Sequence, residues 1–136
     1  MSTSVLSSPL LLRRAVGGNG LFSLSSGLIS LVWANPLALM LGVPSSFVLR
    51  AIGLVLMGYA GFLFWLPFRP TPQWRMALLA SLLDGGWVVG SGVLLLLPGM
   101  PLTEVGRWMI GGLALLVAGW GLLQVIGLTR LQTMEA

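Results

Sequence analysis

Four long apolar runs alternate along the chain with short segments that carry prolines, arginines or small polar residues. Crossing a hydrocarbon core takes roughly 20 helical residues at about 1.5 Å of rise each. The runs at 15–34, 51–68, 76–97 and 108–129 therefore predict an all-α membrane protein, a four-transmembrane-helix bundle forming one domain over 1–136. The first run is too long for a cleavable signal and has no small-x-small site before Trp33 and Pro36, so the mature chain is expected to keep it.

The joints are short. In "RPTPQWR", Pro70 and Pro72 lack the N–H that would continue a helix, which predicts a tight antiparallel hairpin between spans two and three. "PGMPLTEVGR" joins spans three and four. The longer "NPLALMLGVPSSFVLR" between spans one and two is itself apolar but broken by proline, and is expected to lie along the outer membrane surface or to cap the bundle.

Composition narrows the function classes. With 57% hydrophobic and 7% charged residues and a mean hydropathy of +1.00, the 136-residue chain has too little polar surface to cover a water-soluble globule. Cysteine and histidine are both absent, which removes disulfides, thiolate chemistry, imidazole metal ligands, axial haem histidines and His-based acid–base catalysis. No enzyme, no metal and no cofactor is expected. The basic pI of about 11.6 would suit nucleic acid, but all seven basic residues are arginines set singly or as one pair beside apolar runs, which reads as a topology signal.

Orientation follows from those arginines. Arg13, Arg14, Arg69, Arg75 and Arg130 fall on one side of the four-span layout and only Arg50 and Arg107 on the other, so the positive-inside bias places both termini in the cytoplasm. The Arg13–Arg14 pair lacks the polar and aromatic neighbours of a twin-arginine export signal. Trp33, Trp65, Trp74 and Trp108 fall at predicted helix ends, where an amphipathic indole favours the headgroup region.

The chain also resembles itself. An offset of 65 residues lays "NGLFSLSSGLISL" over "DGGWVVGSGVLLL", pairing Asn19 with Asp84, Gly27 with Gly92 and Ser26 with Ser91. The second spans match at an offset of 58, "IG" at 52–53 with 110–111 and "AGF" at 60–62 with "AGW" at 118–120. Either glycine and leucine abundance produces this by chance, or two helical hairpins, about 15–68 and 76–129, are parallel copies related by a pseudo-two-fold along the membrane normal.

Asp84 lies inside a span. An ionised carboxylate at the bilayer centre costs roughly 2.5–3.5 kcal/mol on insertion scales, so it should turn inward toward donors. Counted from the flanking arginines, Asp84, Ser23, Tyr59 and Gln124 all occupy the cytoplasmic half, and Asn19, Ser23, Ser26 and Ser30 share one helix face. The expected cluster is Asp84 with Asn19, Ser23, Tyr59 and Gln124; Arg50, at the far end of its span, is a poor partner. Three readings stand: a lock on helix register, a proton- or cation-coupling site, or recognition of a lipid or other hydrophobic ligand.

Small residues point to dense packing. Gly86-x-x-x-Gly90, Gly92, Ser23-x-x-x-Gly27 and Ala114-x-x-x-Ala118 let backbones approach, and are expected to serve contacts within the chain rather than a dimer. Trp87, Trp120, Phe22 and Phe62 are expected to fill the gaps they leave.

Three stretches, "RRAVGGNGLFSLSSGL", "LGVPSSFVLRAIGLVL" and "LLASLLDGGWVVGSGVLLL", together resemble small uncharacterised four-helix bacterial integral membrane proteins over nearly the whole chain. The resemblance is one of layout and loose motif. It implies a bacterial inner-membrane location and supplies no catalytic residues. Small multidrug resistance transporters are similar in size and span number, but carry a membrane-embedded glutamate in the first span where this chain has Asn19. The expectation is a non-enzymatic accessory or assembly subunit, partnered by the lipid bilayer and by a larger membrane complex or a second copy, without nucleic acid. The alternative is a small proton-coupled transporter or channel acting as an oligomer around Asp84.

Overall fold

The computed structural model describes residues 8–66 and 73–135, and local chemistry explains where the helices among them begin and end. Helix α1 (Ser8–Val32) stops where Pro36 would clash with the carbonyl of Val32 and offer it no N–H. The chain turns at Trp33 and restarts as α2 (Ala34–Leu41), in which Pro36 sits in the first turn, where the missing donor does no harm. Gly42 closes α2 in the left-handed region at φ 77°, and a side chain there would also run into the carbonyl of Pro101.

Helix α3 (Ser46–Trp65) starts on Ser45, whose hydroxyl accepts the Phe47 N–H at 3.2 Å. Helix α4 (Gln73–Leu96) ends just before Pro98, which cannot extend it. Helix α5 (Glu104–Glu135) starts on Thr103, whose Oγ1 accepts the Gly106 N–H at 2.9 Å, with Glu104 in the first turn favoured by the helix dipole.

The described chain is thus all-helical, and four of its helices are long and apolar enough to cross a membrane, over Leu12–Val32, Ser46–Trp65, Ala77–Leu96 and Glu104–Arg130. Span two begins five residues earlier than the apolar run suggested, because the Ser45 cap rather than Arg50 sets its start. Leu54, Val55, Leu82, Val89 and Leu115 are exposed on the outward faces, an arrangement suited to lipid and not to water. The expected turn at Pro70 and Pro72 lies outside the described residues.

Helix α1 packs along α3 and against α5, and α4 packs along α5. The α1–α3 crossing is a contact between backbones: a Cβ added at Gly27 would lie 2.8 Å from the Gly53 carbonyl oxygen, and one at Gly53 equally close to that of Gly27. At the end of the bundle where α1 and α4 begin, Leu12, Val16, Leu63, Leu66, Ala77, Ala80 and Leu128 form a buried apolar cluster. At the opposite end α2 folds over the bundle, burying Ala34 and Ala38 with Leu49. It is tied to the start of α5, since Thr103 donates its N–H to the Leu41 carbonyl at 3.0 Å and its hydroxyl to the Met40 carbonyl.

Candidate functional site: an interior carboxylate layer

One turn beyond the terminal-end cluster the core changes character. Asn19 follows Val16 on α1, Asp84 follows Ala80 on α4, and Gln124 precedes Leu128 on α5, so helical spacing stacks a polar layer directly on the apolar one. Asn19, Ser23, Asp84 and Gln124 are all buried, with Gln124 fully enclosed.

The layer is organised around Asp84. Asn19 Nδ2 donates to Asp84 Oδ2 at 2.8 Å, and Gln124 Nε2 donates to the same oxygen at 2.9 Å. Tyr59 Oη lies 2.8 Å from Asp84 Oδ1 and 3.0 Å from the Ala80 carbonyl oxygen. Ser23 joins at second hand, donating to Asn19 Oδ1 at 3.4 Å, which orients the amide so that its nitrogen faces Asp84. The carboxylate therefore receives one donor from each of the other three spanning helices, α1, α3 and α5.

All five residues expected in the cluster are brought together, Ser23 only through Asn19. Arg50 is elsewhere, its Nη2 at 3.5 Å from Asn35 Oδ1 at the α2 end. Two buried polar atoms of the layer's neighbourhood have no hydrogen-bond partner, Ser81 Oγ and Gln124 Oε1. Ser81 escaped the sequence reading although it stands three residues before Asp84, a spacing that shares a helix face. Among the described residues no group of three or more histidine, cysteine or carboxylate side chains gathers to hold a metal.

The small residues divide. Gly27 is buried at the α1–α3 crossing, but Gly86 and Gly90 are exposed on α4 with open space where a Cβ would stand, so they serve no helix contact within the chain. The reason is rotational: Asp84 must point inward, which turns positions 86 and 90 of the same helix outward. Gly92 likewise has no atom near its Cβ position. Among the aromatics, the Trp120 ring covers Gly18, where an added Cβ would fall 2.5 Å from it.

Comparison with protein-family models, with curated proteins and with solved structures gives no match, so the reading of this site rests on its own geometry.

Proposed function

We propose that the protein is a non-enzymatic integral membrane protein, an accessory or assembly subunit that binds a partner within the bilayer. The observation that carries this reading is the convergence of three helices' donors on Asp84, which commits this buried carboxylate to holding the bundle together. Interhelical hydrogen bonds in membranes are worth about 0.6–2 kcal/mol each, enough in sum to fix helix register. The four spans carry most of the described chain, so helix faces are the surfaces offered to a partner in the bilayer. The outward Gly86-x-x-x-Gly90 face of α4 suits the close approach of another helix.

Bacterial inner-membrane residence with both termini cytoplasmic belongs to the same proposal, supported by the arginine bias. So does the two-hairpin repeat. Its support is that Leu12, Ala15 and Asn19 of α1 are buried, as are Ala77, Ala80 and Asp84 at the 65-residue offset.

Co-purification in mild detergent tests the proposal: stoichiometric recovery with a larger membrane complex, lost in Gly86→Leu and Gly90→Leu variants that remain folded, is the expected result. A chain that purifies alone, unchanged by either substitution, overturns it.

One observation favours a second reading, proton coupling. The Tyr59 hydroxyl has a single hydrogen within reach of two acceptors, Asp84 Oδ1 and the Ala80 carbonyl. A proton arriving on Oδ1 could be donated to Tyr59 Oη while the phenol hydrogen turns to Ala80, with no heavy atom displaced. Under this reading Asp84→Asn stays folded and abolishes pH-dependent transport in proteoliposomes; unaltered transport removes it.

A further inference from the structure

The two hairpins differ in the half of the bundle that α2 covers. Between α1 and α3 the backbones touch at Gly27 and Gly53. At the corresponding places of the second hairpin, Gly92 has nothing near its Cβ position and Gly111 meets only Leu95 Cδ1, at 3.8 Å. Instead of a crossing there is a groove of about 670 Å³ between α4 and α5. Val88 and Leu95 line it from α4, and Trp108, Ala114 and Leu115 from α5. Two glycines facing a gap keep it open although each weakens a helix by roughly 1 kcal/mol relative to alanine.

Arg107 stands at the mouth of this groove, at the α2 end of the bundle. Its Nη1 donates to the Leu95 carbonyl at 3.1 Å, one of the acceptors left unpaired at the end of α4, and this holds the guanidinium across the opening. It forms no ion pair among the described residues, and the guanidinium's remaining donors suit bidentate binding of a phosphate. The eleven residue-to-residue steps of α5 from Arg107 to Ala118 rise roughly 16 Å, about half the thickness of a hydrocarbon core of about 30 Å. The groove is thus one leaflet deep, apolar along its length and cationic at the headgroup level.

We infer that this groove binds one anionic phospholipid, an acyl chain lying between α4 and α5 and its phosphate on Arg107. The site is separate from the Asp84 layer and does not depend on the accessory-subunit reading. A partner helix or a second copy of the chain would match the apolar wall, but would leave the guanidinium without an anion.

Native mass spectrometry of the full chain in detergent with equal amounts of phosphatidylglycerol and phosphatidylcholine tests the inference. The expected result is a single retained phospholipid with a roughly ten-fold preference for phosphatidylglycerol, the worth of one charge-assisted hydrogen bond. Arg107→Gln should abolish the preference while keeping a lipid bound, and Gly111→Leu, which fills the groove, should lose the lipid. Helicity by circular dichroism checks folding of both, and Arg107→Gln, a surface change, decides the matter should Gly111→Leu fail to fold. Equal binding of the two lipids, a preference that survives Arg107→Gln, or a dimer free of lipid would overturn the inference.

Discussion

Asn19 donates to Asp84 across 2.8 Å, and these two residues are the ones that the 65-residue offset pairs with each other. Residues related by a two-fold axis touch only where both stand beside that axis, so under the proposed repeat Asn19 and Asp84 would flank it. The pair is complementary in chemistry: one half supplies an acceptor, the other an amide that donates to it. Gln124 and Tyr59 complete the site but are not equivalent under the 58-residue offset, which pairs Tyr59 with Val117 and Gln124 with Leu66.

The geometry of Asp84 separates two substitutions. In Asp84→Asn the introduced amide can place its oxygen toward Asn19 and Gln124 and its nitrogen toward Tyr59 Oη, whose hydrogen then goes to the Ala80 carbonyl at 3.0 Å. The donors of Asn19, Gln124 and Tyr59 each keep an acceptor, and unfolding followed by circular dichroism should stay within about 1 kcal/mol of the parent. Asp84→Leu strands the donors of Asn19 and Gln124, each worth about 1–3 kcal/mol when left unmade, while Tyr59 keeps the Ala80 carbonyl, and should lower stability by roughly 2–4 kcal/mol after relaxation in the membrane. Equal stability of the two variants would contradict the lock.

The polar layer was legible because lipid leaves an interior carboxylate few options: donors at matching depth on the other helices had to turn toward Asp84. Periodicity on α1 put Asn19 and Ser23 on one face, and arginine-based depth supplied Tyr59 and Gln124. What escaped was rotation and separation. A GxxxG spacing says that one face of α4 is smooth without saying which way it points, and only the inward pull of Asp84 turns Gly86 and Gly90 outward. Nor does the 65-residue offset say that α1 and α3 meet at Gly27 and Gly53 while α4 and α5, packed together elsewhere, leave a groove at Gly92 and Gly111. Hydropathy marked the proline-broken segment as a surface piece, but the tie from Thr103 to Leu41 depends on a distant hairpin.

Asn19 and Gln124 share Asp84 Oδ2, so their contributions should not add. A double-mutant cycle of Asn19→Ala and Gln124→Ala should show an interaction of about 0.5–2 kcal/mol, because losing the second donor leaves the oxygen bare. Tyr59→Phe, which removes the donor to the other oxygen, should cost about 1–2 kcal/mol alone. Strict additivity of Asn19→Ala with Gln124→Ala in thermal unfolding would mean that the shared acceptor is not formed.

Thr103 joins two elements at once, capping α5 and holding the last carbonyls of α2. Thr103→Val keeps the shape and the backbone donor but removes the hydroxyl. Loss of a cap and of one tie, at about 1–2 kcal/mol, should raise amide hydrogen exchange across 34–41 by roughly 5–30-fold. Exchange in α1 below Asn19 should be unchanged, because that end rests on the separate apolar cluster. A uniform rise along the whole chain would show that α2 has no stability of its own to lose.

The unequal hairpins give the sharpest contrast available from single methyl groups. Gly27→Ala places a Cβ 2.8 Å from the Gly53 carbonyl oxygen and 3.1 Å from the Met57 nitrogen, backbone atoms that cannot swing aside as a side-chain tip would. The helices must part, and overpacking of this kind costs about 1–3 kcal/mol. Gly53→Ala meets the Gly27 carbonyl oxygen at the same distance and should behave alike. Gly92→Ala meets nothing and Gly111→Ala only the end of Leu95, so each gains alanine's helix propensity without a clash and should be neutral or up to about 1 kcal/mol more stable. If both hairpins crossed in the same way, all four variants would lose stability together. A fall confined to positions 27 and 53 in detergent unfolding places a close crossing there and leaves α4 and α5 apart at Gly92 and Gly111.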